Sequence, residues 1–331
     1  MRVRVLGGAV VPRGPAEPAG LSHPRPHRVL TPPALIAVLG PTGSGKSDFA
    51  EALADRTGAL LLNADAFQVY RGLDIGTNKP RDRARYELLD LVDPQEPFGV
   101  VPWVQAALPL LAQAYAEGRS VILVGGTGFY VRALMDEFAD LRGAPDPELR
   151  AHFMAREEAE GLAALVAELE ATAPEIAAQT DLKNPVRVRR ALERLQAVPA
   201  DPIQLPPFAR HKLALLPEPE WLNERLVART AQLLAQGWLE EVEALLASGV
   251  TSEDPGMRAI GYRNIVDHLQ GEISLTELVD QINLATRQYA KRQRTWLRTE
   301  KGLVSYQRER AQWNPLAWGR DWEESFLKES R

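Results

Sequence analysis

The sequence contains no cysteine among its 331 residues. Without a thiol, the chain can have no disulfide framework, no thiolate metal site and no cysteine nucleophile. Its chemistry must therefore rest on carboxylates, hydroxyls, amides, imidazoles and basic side chains. The lack of cysteine is compatible with a reducing compartment, and we expect a cytoplasmic protein.

Long apolar runs are absent as well, although 45% of the residues are hydrophobic. A helix that crosses a bilayer needs about 20 consecutive apolar residues, so the sequence predicts no membrane span and no membrane partner. The longest early apolar run is broken at once by Pro12, which argues against a secretory signal. We predict that residues 1–30, rich in arginine, proline and glycine, form a disordered basic extension.

An excess of positive charge is missing too. The chain has 39 Lys and Arg against 44 Asp and Glu, which gives a net charge of −5. Taken alone, this total argues against a nucleic-acid partner. The apolar and charged fractions are ordinary for a globular protein, and the length suggests two domains at roughly 150 residues each.

Short apolar runs alternate with helical patterns in the first part of the chain. Runs at residues 34–39, 60–62 and 121–124 alternate with helical patterns at 46–57 and 103–117. This order predicts an α/β fold, with a parallel sheet like that of P-loop NTPases flanked by helices. Residues 142–205 are rich in strong helix formers and predict an all-helical insertion.

A returning strand near residues 213–216 and four helical patterns up to residue 297 predict a helical C-terminal part. We therefore expect a core domain built from residues 31–141 and 206–305. Residues 142–205 would form an insertion domain, and residues 306–331 a C-terminal tail.

The first apolar run leads directly into a glycine-rich segment, which reads Gly40-Pro41-Thr42-Gly43-Ser44-Gly45-Lys46-Ser47. It fits the pattern G-x-x-x-x-G-K-[ST] and lies between a strand and a helix, as a phosphate-binding loop requires. Backbone N–H groups of such a loop surround an anion at the helix N-terminus. Lys46 would add charge for the terminal phosphates, and the Ser47 hydroxyl would ligate Mg²⁺ as cofactor. The motif predicts a di- or triphosphate site without identifying the ligand.

Asp65 follows the second apolar run, at the edge of the predicted sheet where ligands bind in open α/β folds. A carboxylate at this place can hold Mg²⁺, as in other P-loop proteins. It can equally act as a general base. The residues alone leave both roles open.

Further segments occur in a fixed order along the chain. They are Asp65-Ala66-Phe67-Gln68-Val69-Tyr70, Ile75-Gly76-Thr77-Asn78-Lys79-Pro80, Gly125-Gly126-Thr127-Gly128-Phe129-Tyr130, Arg187-Val188-Arg189-Arg190-Ala191-Leu192-Glu193, Ile260-Gly261-Tyr262 and Thr286-Arg287-Gln288-Tyr289-Ala290-Lys291-Arg292-Gln293-Arg294-Thr295-Trp296. Over about residues 34–298 this ordered set resembles the tRNA dimethylallyltransferase (tRNA isopentenyltransferase) family.

The resemblance implies an activity. The family transfers a dimethylallyl group from dimethylallyl diphosphate to N6 of the adenosine at tRNA position 37, next to the anticodon, and releases diphosphate. The phosphate loop would then hold the diphosphate leaving group, and Asp65 would be the general base, with Lys46 and Thr127 completing the catalytic set. The implied partners are the tRNA anticodon stem-loop and dimethylallyl diphosphate, and we expect a monomer.

The resemblance also implies a set of residues that contact tRNA. These are Asp65, Ala66, Phe67, Gln68, Thr127, Arg150, Val186, Arg187, Arg190, Arg258, Gly261, Tyr262, Arg263, Lys291, Arg292, Gln293, Trp296 and Arg298. An amide such as that of Gln68 suits an adenine edge. Basic clusters at residues 187–194, 258–263 and 287–298 suit RNA phosphates. The negative total therefore conceals local positive charge.

Two positions depart from the family pattern. Ala66 stands where the family has serine, and residues 183–186 replace its Asn-Asp-x-Gln run. Two other functions remain alternatives to the transferase. One is a P-loop kinase that uses ATP on a small metabolite with Asp65 as base, and the other is a nucleotide-gated RNA-binding module without catalysis.

Overall fold

A computed structural model describes residues 32–136, 147–196, 204–306 and 312–319. The predicted extension at residues 1–30 lies outside these ranges. A parallel sheet forms the centre, and its strands are β1 (Ala34–Leu39), β2 (Leu60–Asn63), β3 (Tyr86–Glu87), β4 (Val121–Val124), β5 (Ala209–Leu215) and β6 (Leu303–Tyr306). Their order across the sheet is β3-β2-β4-β1-β5-β6.

The helices of the described ranges follow in chain order. They are α1 (Lys46–Thr57), α2 (Val100–Ala116), α3 (Gly128–Met135), α4 (Pro147–Glu160), α5 (Leu162–Thr172), α6 (Pro174–Gln179), α7 (Pro185–Gln196), α8 (Pro219–Ala235), α9 (Trp238–Ala247), α10 (Tyr262–Leu269) and α11 (Leu275–Leu297). No helix within the described part of the chain is both long and apolar enough to pass through a bilayer.

Both faces of the sheet are buried. Along β1, Leu35 and Ala37 pack into one apolar layer with α2 and α3, whereas Ile36 and Val38 pack into a second layer with α1. Successive side chains of a strand point to opposite faces, so a strand that is apolar throughout needs cover on both. The predicted P-loop-type parallel sheet flanked by helices is confirmed.

The region predicted as an insertion consists, over residues 147–196, of helices joined by short turns. Helices α4, α5, α6 and α7 enclose their own apolar core, which includes Phe153, Leu165, Leu169, Val188 and Leu192. The separate core agrees with an independent unit, while the domain boundaries stay a prediction.

Three elements were not anticipated from the sequence. Strand β3 has only two residues, which is too short for a periodic signal. Strand β6 is as long as β2 and β4, but its four residues include a serine, and it pairs with β5 at the edge of the sheet. Helix α3 follows the glycine-rich segment after β4. Residues 312–319, assigned to a tail, pack on the sheet through Trp313 and Trp318.

Candidate active site

Three loops meet at one edge of the sheet because the strands that lead into them are neighbours. Strands β2, β4 and β1 lie side by side and parallel. Their carboxyl ends lead to Asp65, to residues 125–128 and to the phosphate loop at residues 40–47. A Cβ on Gly125 would collide with the backbone of Ala64, so only glycine permits this close approach.

The phosphate loop has the backbone that its sequence predicts. Gly43 and Gly45 adopt φ of 79° and 87°, a left-handed region that favours glycine. The Ser44 N–H donates to Pro41 O at 3.1 Å, and α1 begins at Lys46. The loop thus ends at a helix N-terminus, where the helix dipole favours an anion.

Lys46 projects into a shielded environment above this loop. Its Nζ donates to Pro41 O at 3.1 Å. Burial lowers the pKa of Lys46 from 10.5 to about 8, partly offset by the nearby Asp65 carboxylate, while Arg229 lowers it further. Burial disfavours the charged form of a lysine. An anionic ligand beside Lys46 would therefore stabilise its ammonium.

Asp65 is held by its own neighbours. The Asn63 side chain accepts from the Asp65 N–H at 3.1 Å, and its amide donates to Asp65 O at 3.3 Å and to Leu88 O at 3.0 Å. One carboxylate oxygen of Asp65 accepts from the Phe67 N–H at 3.0 Å. The backbone carbonyl of Asn63 in turn accepts from the Trp103 indole N–H at 3.0 Å, which fixes this residue in place. The carboxylate therefore has a defined orientation toward the cavity.

The charge of the Asp65 carboxylate influences the pKa of two basic residues and two tyrosines. Burial lowers the pKa of Lys46 and of Arg229, and the nearby Asp65 carboxylate opposes this shift in both. Burial raises the pKa of Tyr130 and Tyr289, and Asp65 raises each of them further. Both phenols thus remain neutral at physiological pH, and Asp65 supplies negative charge at the centre of the site.

Two cavities share Asp65 in their walls. The larger has a volume of about 860 Å³ and is lined by the phosphate loop, Gln68 and basic residues of α8. The smaller, of about 240 Å³, is mainly apolar and is lined by side chains that include Phe67, Leu226, Leu233 and Ile282. The carboxylate of Asp65 thus lies where a phosphate-binding space adjoins an apolar one.

Two arginines of α8 that were not predicted from the sequence belong to the site. Arg225 and Arg229 both line the larger cavity. The Arg225 guanidinium lies 5.0 Å from the centre of the Trp221 ring. Trp221, Arg225 and Arg229 are spaced by four residues, which puts them on one helix face. This spacing is the sequence signal that could have identified them.

Several predicted site residues use their polar groups inside the protein. Thr127 Oγ1 accepts from the Ala66 N–H at 3.0 Å. The Gln68 amide donates to Thr77 O and Asn78 O at 3.1 and 3.2 Å. These contacts bring the predicted residues together around Asp65.

The nearly buried Gln293 joins two loops of the site. Its Oε1 accepts from the Thr42 N–H at 2.8 Å, and its Nε2 donates to Gly126 O at 3.2 Å. The phosphate loop and the glycine-rich loop after β4 are thereby tied to one side chain of α11. The side chain predicted to contact tRNA is committed to this internal link.

Tyr262 is fully buried, so it has no exposed surface for the predicted contact with tRNA. Its hydroxyl donates to Glu241 at 2.6 Å, and the Glu241 carboxylate also accepts from the N–H groups of residues 74–76. Gly261, with φ of 93°, packs against Trp238. Arg263 donates to Ser252 O at 2.9 Å. Through Glu241, the Ile260-Gly261-Tyr262 segment thus supports residues 74–76 in the wall of the site.

Outside the helical insertion, the remaining predicted tRNA contacts are four exposed basic residues and one tryptophan. Lys291, Arg292 and Arg298 are exposed on or beside α11, and Arg258 is exposed beside the smaller cavity. Trp296 packs against Gly128. Arg258 and Arg292 therefore bring exposed positive charge to the smaller cavity.

The basic side chains of the helical insertion are paired with acids. Arg187 lies 3.4 Å from Asp181, and Arg150 and Arg190 lie 3.9 and 3.1 Å from the buried Glu193. Val186 in the same region is 61% exposed. Contact with tRNA at these positions stays a prediction.

The donor set of the site fits Mg²⁺ only together with a ligand. No group of three or more His, Asp or Glu side chains that could hold a metal occurs in the described ranges. Ser47 and Asp65 both line the larger cavity and offer a hydroxyl and a carboxylate. Mg²⁺ commonly binds to one or two protein oxygens and completes its shell with water and substrate phosphates. These residues fit such a partly occupied shell.

Comparison with known proteins places this geometry in a family. The model of the IPP transferase family matches residues 68–300. The chain is 40% identical over 281 residues to the tRNA dimethylallyltransferase of Thermus thermophilus, which covers 82% of this chain and 92% of the relative. It is 40% identical over 282 residues to the enzyme of the same name from Geobacter metallireducens, with 82% and 91% covered.

Solved structures agree with the sequence comparison. The tRNA isopentenylpyrophosphate transferase of Bacillus halodurans superposes with a TM-score of 0.62 at 31% identity, over 89% of this chain and 99% of that one. A eukaryotic dimethylallyltransferase acting on tRNA shares the fold, with a TM-score of 0.73 at 23% identity, over 90% and 80% of the two chains. The chain is a member of the IPP transferase family, as its ordered motifs predicted.

Proposed function

We propose that this protein transfers a dimethylallyl group from dimethylallyl diphosphate to N6 of the adenosine at position 37 of tRNA. The observation that carries the proposal is the position of Asp65 on the wall common to two cavities, one lined by the phosphate loop and one mainly apolar. A donor with an anionic head and an apolar tail fits this pair of spaces. Its reacting carbon, which joins head and tail, would then lie beside the carboxylate.

The anionic head belongs at the phosphate loop. The loop N–H groups, Lys46, Arg225 and Arg229 supply positive charge to one part of the wall of the larger cavity. Phe67, Leu226 and Ile282 border the smaller cavity and exclude water from the dimethylallyl chain. The volume of this cavity is sufficient for a five-carbon chain.

Transfer follows from this arrangement. The allylic C–O bond breaks and the diphosphate departs with the bonding electrons, stabilised by loop N–H groups, Lys46 and Arg229. The adenine N6 forms the new bond to the allylic carbon and loses a proton to the Asp65 carboxylate. When bound beside Ser47, Mg²⁺ supplies further charge that stabilises the leaving diphosphate.

The acceptor adenine can reach the Asp65 carboxylate only if it leaves its stacked position in the anticodon loop. Enzymes that modify a base commonly extrude it into a pocket, and the larger cavity is roomy enough to receive one. Exposed Arg292 lines the smaller cavity, and exposed Lys291 and Arg298 belong to the same C-terminal end of α11, where RNA phosphates would bind. Trp296 and the α3 N-terminus border the same region.

The test mixes the full chain with unmodified tRNA, Mg²⁺ and labelled dimethylallyl diphosphate. We expect label at adenosine 37, identified by mass analysis of the digested tRNA. Asp65→Asn should lower kcat by about 10²- to 10⁴-fold, as expected for loss of a general base, with tRNA affinity nearly unchanged. Asp55→Asn is the matched control, because Asp55 is an exposed carboxylate of α1 paired with Arg85.

Two results would overturn the proposal. If tRNA stays unlabelled while ATP phosphorylates a small acceptor, the kinase alternative is correct. If Asp65→Asn abolishes diphosphate binding and leaves the transfer rate of bound donor unchanged, Asp65 is a magnesium ligand and not the base.

A further inference from the structure

Residues 312–319, here called the C-terminal brace, lie against the outer side of the phosphate loop. The Trp313 indole N–H donates to Ser44 O at 3.2 Å. A Cβ on Gly45 would lie 2.7 Å from Pro315, so the brace closes over the glycine that precedes Lys46. Gly319 packs against the backbone of Phe49 in α1. The brace therefore contacts the loop, the start of α1 and the next turn.

The brace also contacts α8, which carries two arginines of the larger cavity. The rings of Trp313 and Trp221 lie 5.5 Å apart between centroids. Trp221 in turn carries the Arg225 guanidinium 5.0 Å from its ring centre. A single residue, Trp313, thus touches the phosphate loop on one side and supports an arginine of the same cavity on the other.

The other end of the brace is anchored in the sheet. Trp318 stacks on Tyr306 of β6 with centroids 5.8 Å apart, and Tyr306 lies 5.9 Å from Phe49 of α1. The Trp318 ring also meets Trp313 edge to face at 5.1 Å. This aromatic chain connects Trp313 to β6 and to α1.

We propose that Trp313 is a positioning residue for the diphosphate, acting through Ser44 and Arg225. A carbonyl fixed by an outside donor prevents its peptide plane from rotating, and the loop N–H groups then keep pointing into the cavity. Preorganised N–H groups bind an anion without an ordering cost at the time of binding. The role in transfer rests on the proposed function, whereas the effect on diphosphate affinity does not.

The first test measures binding of inorganic diphosphate with Mg²⁺ by calorimetry, without tRNA or prenyl donor. Trp313→Phe keeps an aromatic ring and removes the indole N–H. Loss of one hydrogen bond predicts about a three- to tenfold weaker affinity. Trp318→Phe is the matched control, since it trims a brace ring that does not bond to the loop, and Leu316→Ala is a second control at an exposed position of the brace.

The second test compares kinetics and stability. Trp313→Phe should raise KM for dimethylallyl diphosphate by the same factor as the diphosphate Kd, with kcat and KM for tRNA changed by less than about twofold. A chain ending at residue 306 should lose more affinity, because the contacts to Ser44, Gly45 and Trp221 all disappear. Thermal melting identifies any variant that simply fails to fold.

Two results would overturn the proposal. One is an equal loss of diphosphate affinity in Trp313→Phe and Trp318→Phe, which would make the brace a stability element only. The other is unchanged affinity in both Trp313→Phe and the folded chain ending at residue 306. A protein that binds diphosphate as expected yet transfers no prenyl group would refute the proposed function and leave this inference standing.

Discussion

The buried Lys46 predicts a fall in activity with alkaline pH that an ordinary lysine would not cause. With its pKa lowered to about 8 by burial, the ammonium is about 90% protonated at pH 7 and about 10% at pH 9. The cation is present below pH 8 and lost above it. Donor affinity should therefore decrease by up to about tenfold over these two pH units.

The assay is kcat/KM for dimethylallyl diphosphate at saturating tRNA, because this ratio reports groups of the protein–tRNA complex before the donor binds. The terminal phosphate of the donor loses its last proton at about pH 6. Its remaining ionisation above pH 7 would strengthen binding, so it does not produce the fall. In kcat the same limb should lie at higher pH, since bound diphosphate stabilises the ammonium.

Lys46→Gln provides the control. It should have a low kcat/KM that stays level from pH 7 to 9.5, because no titrating cation remains at the loop. A wild-type profile without a falling limb below pH 9 would refute the reasoning. So would a falling limb of equal midpoint in Lys46→Gln, which would assign the titration to another group.

Three further predictions concern residues that support the site. Arg229→Gln should weaken inorganic diphosphate binding by at least about tenfold, because it removes a cation from the cavity wall, and calorimetry with Val227→Ala as control measures this loss. Gln293→Leu leaves the Thr42 N–H without its acceptor and should raise KM for the donor by about three- to tenfold, while an unchanged KM would show that the link is dispensable. Glu241→Gln should lower the free energy of unfolding by about 1–3 kcal/mol, because its carboxylate accepts four hydrogen bonds; urea denaturation with the neighbouring Glu240→Gln as control tests this value.

Local sequence determined much of the core. The phosphate loop and α1 were predictable because a strand, a glycine-rich turn and a helix start follow each other within one short segment. Strand β3 was not, since its two residues pair with β2 only after the intervening loop has folded back. Lys79 in that loop has a side chain 1% exposed and forms ion pairs with Asp74 and Asp90. Its motif predicted the residue type and gave no sign of this burial.

The candidate site was predictable in composition and less so in geometry. A motif states which residue types occur, and not the direction in which their side chains point. Tyr262 and Gln293 were therefore grouped with the exposed cations of α11, although both lie inside the protein. Arg229 was missed because α8 reaches the phosphate loop only through tertiary packing, which the four-residue spacing of Trp221, Arg225 and Arg229 does not reveal by itself.

The internal link made by Gln293 has a consequence for how the protein matures during synthesis. Thr42 and its acceptor are separated by 251 positions, and Ser44 and the Trp313 indole by 269. Domains are translated from the N-terminus at about 5–20 residues per second, so the loop leaves the ribosome well before either partner. A nascent chain would carry the motif long before it could hold the anion firmly. Diphosphate affinity in stalled chains of increasing length should therefore increase in steps, first as α11 emerges and then as the brace emerges. Ligand binding would thus report when the last stages of folding are complete.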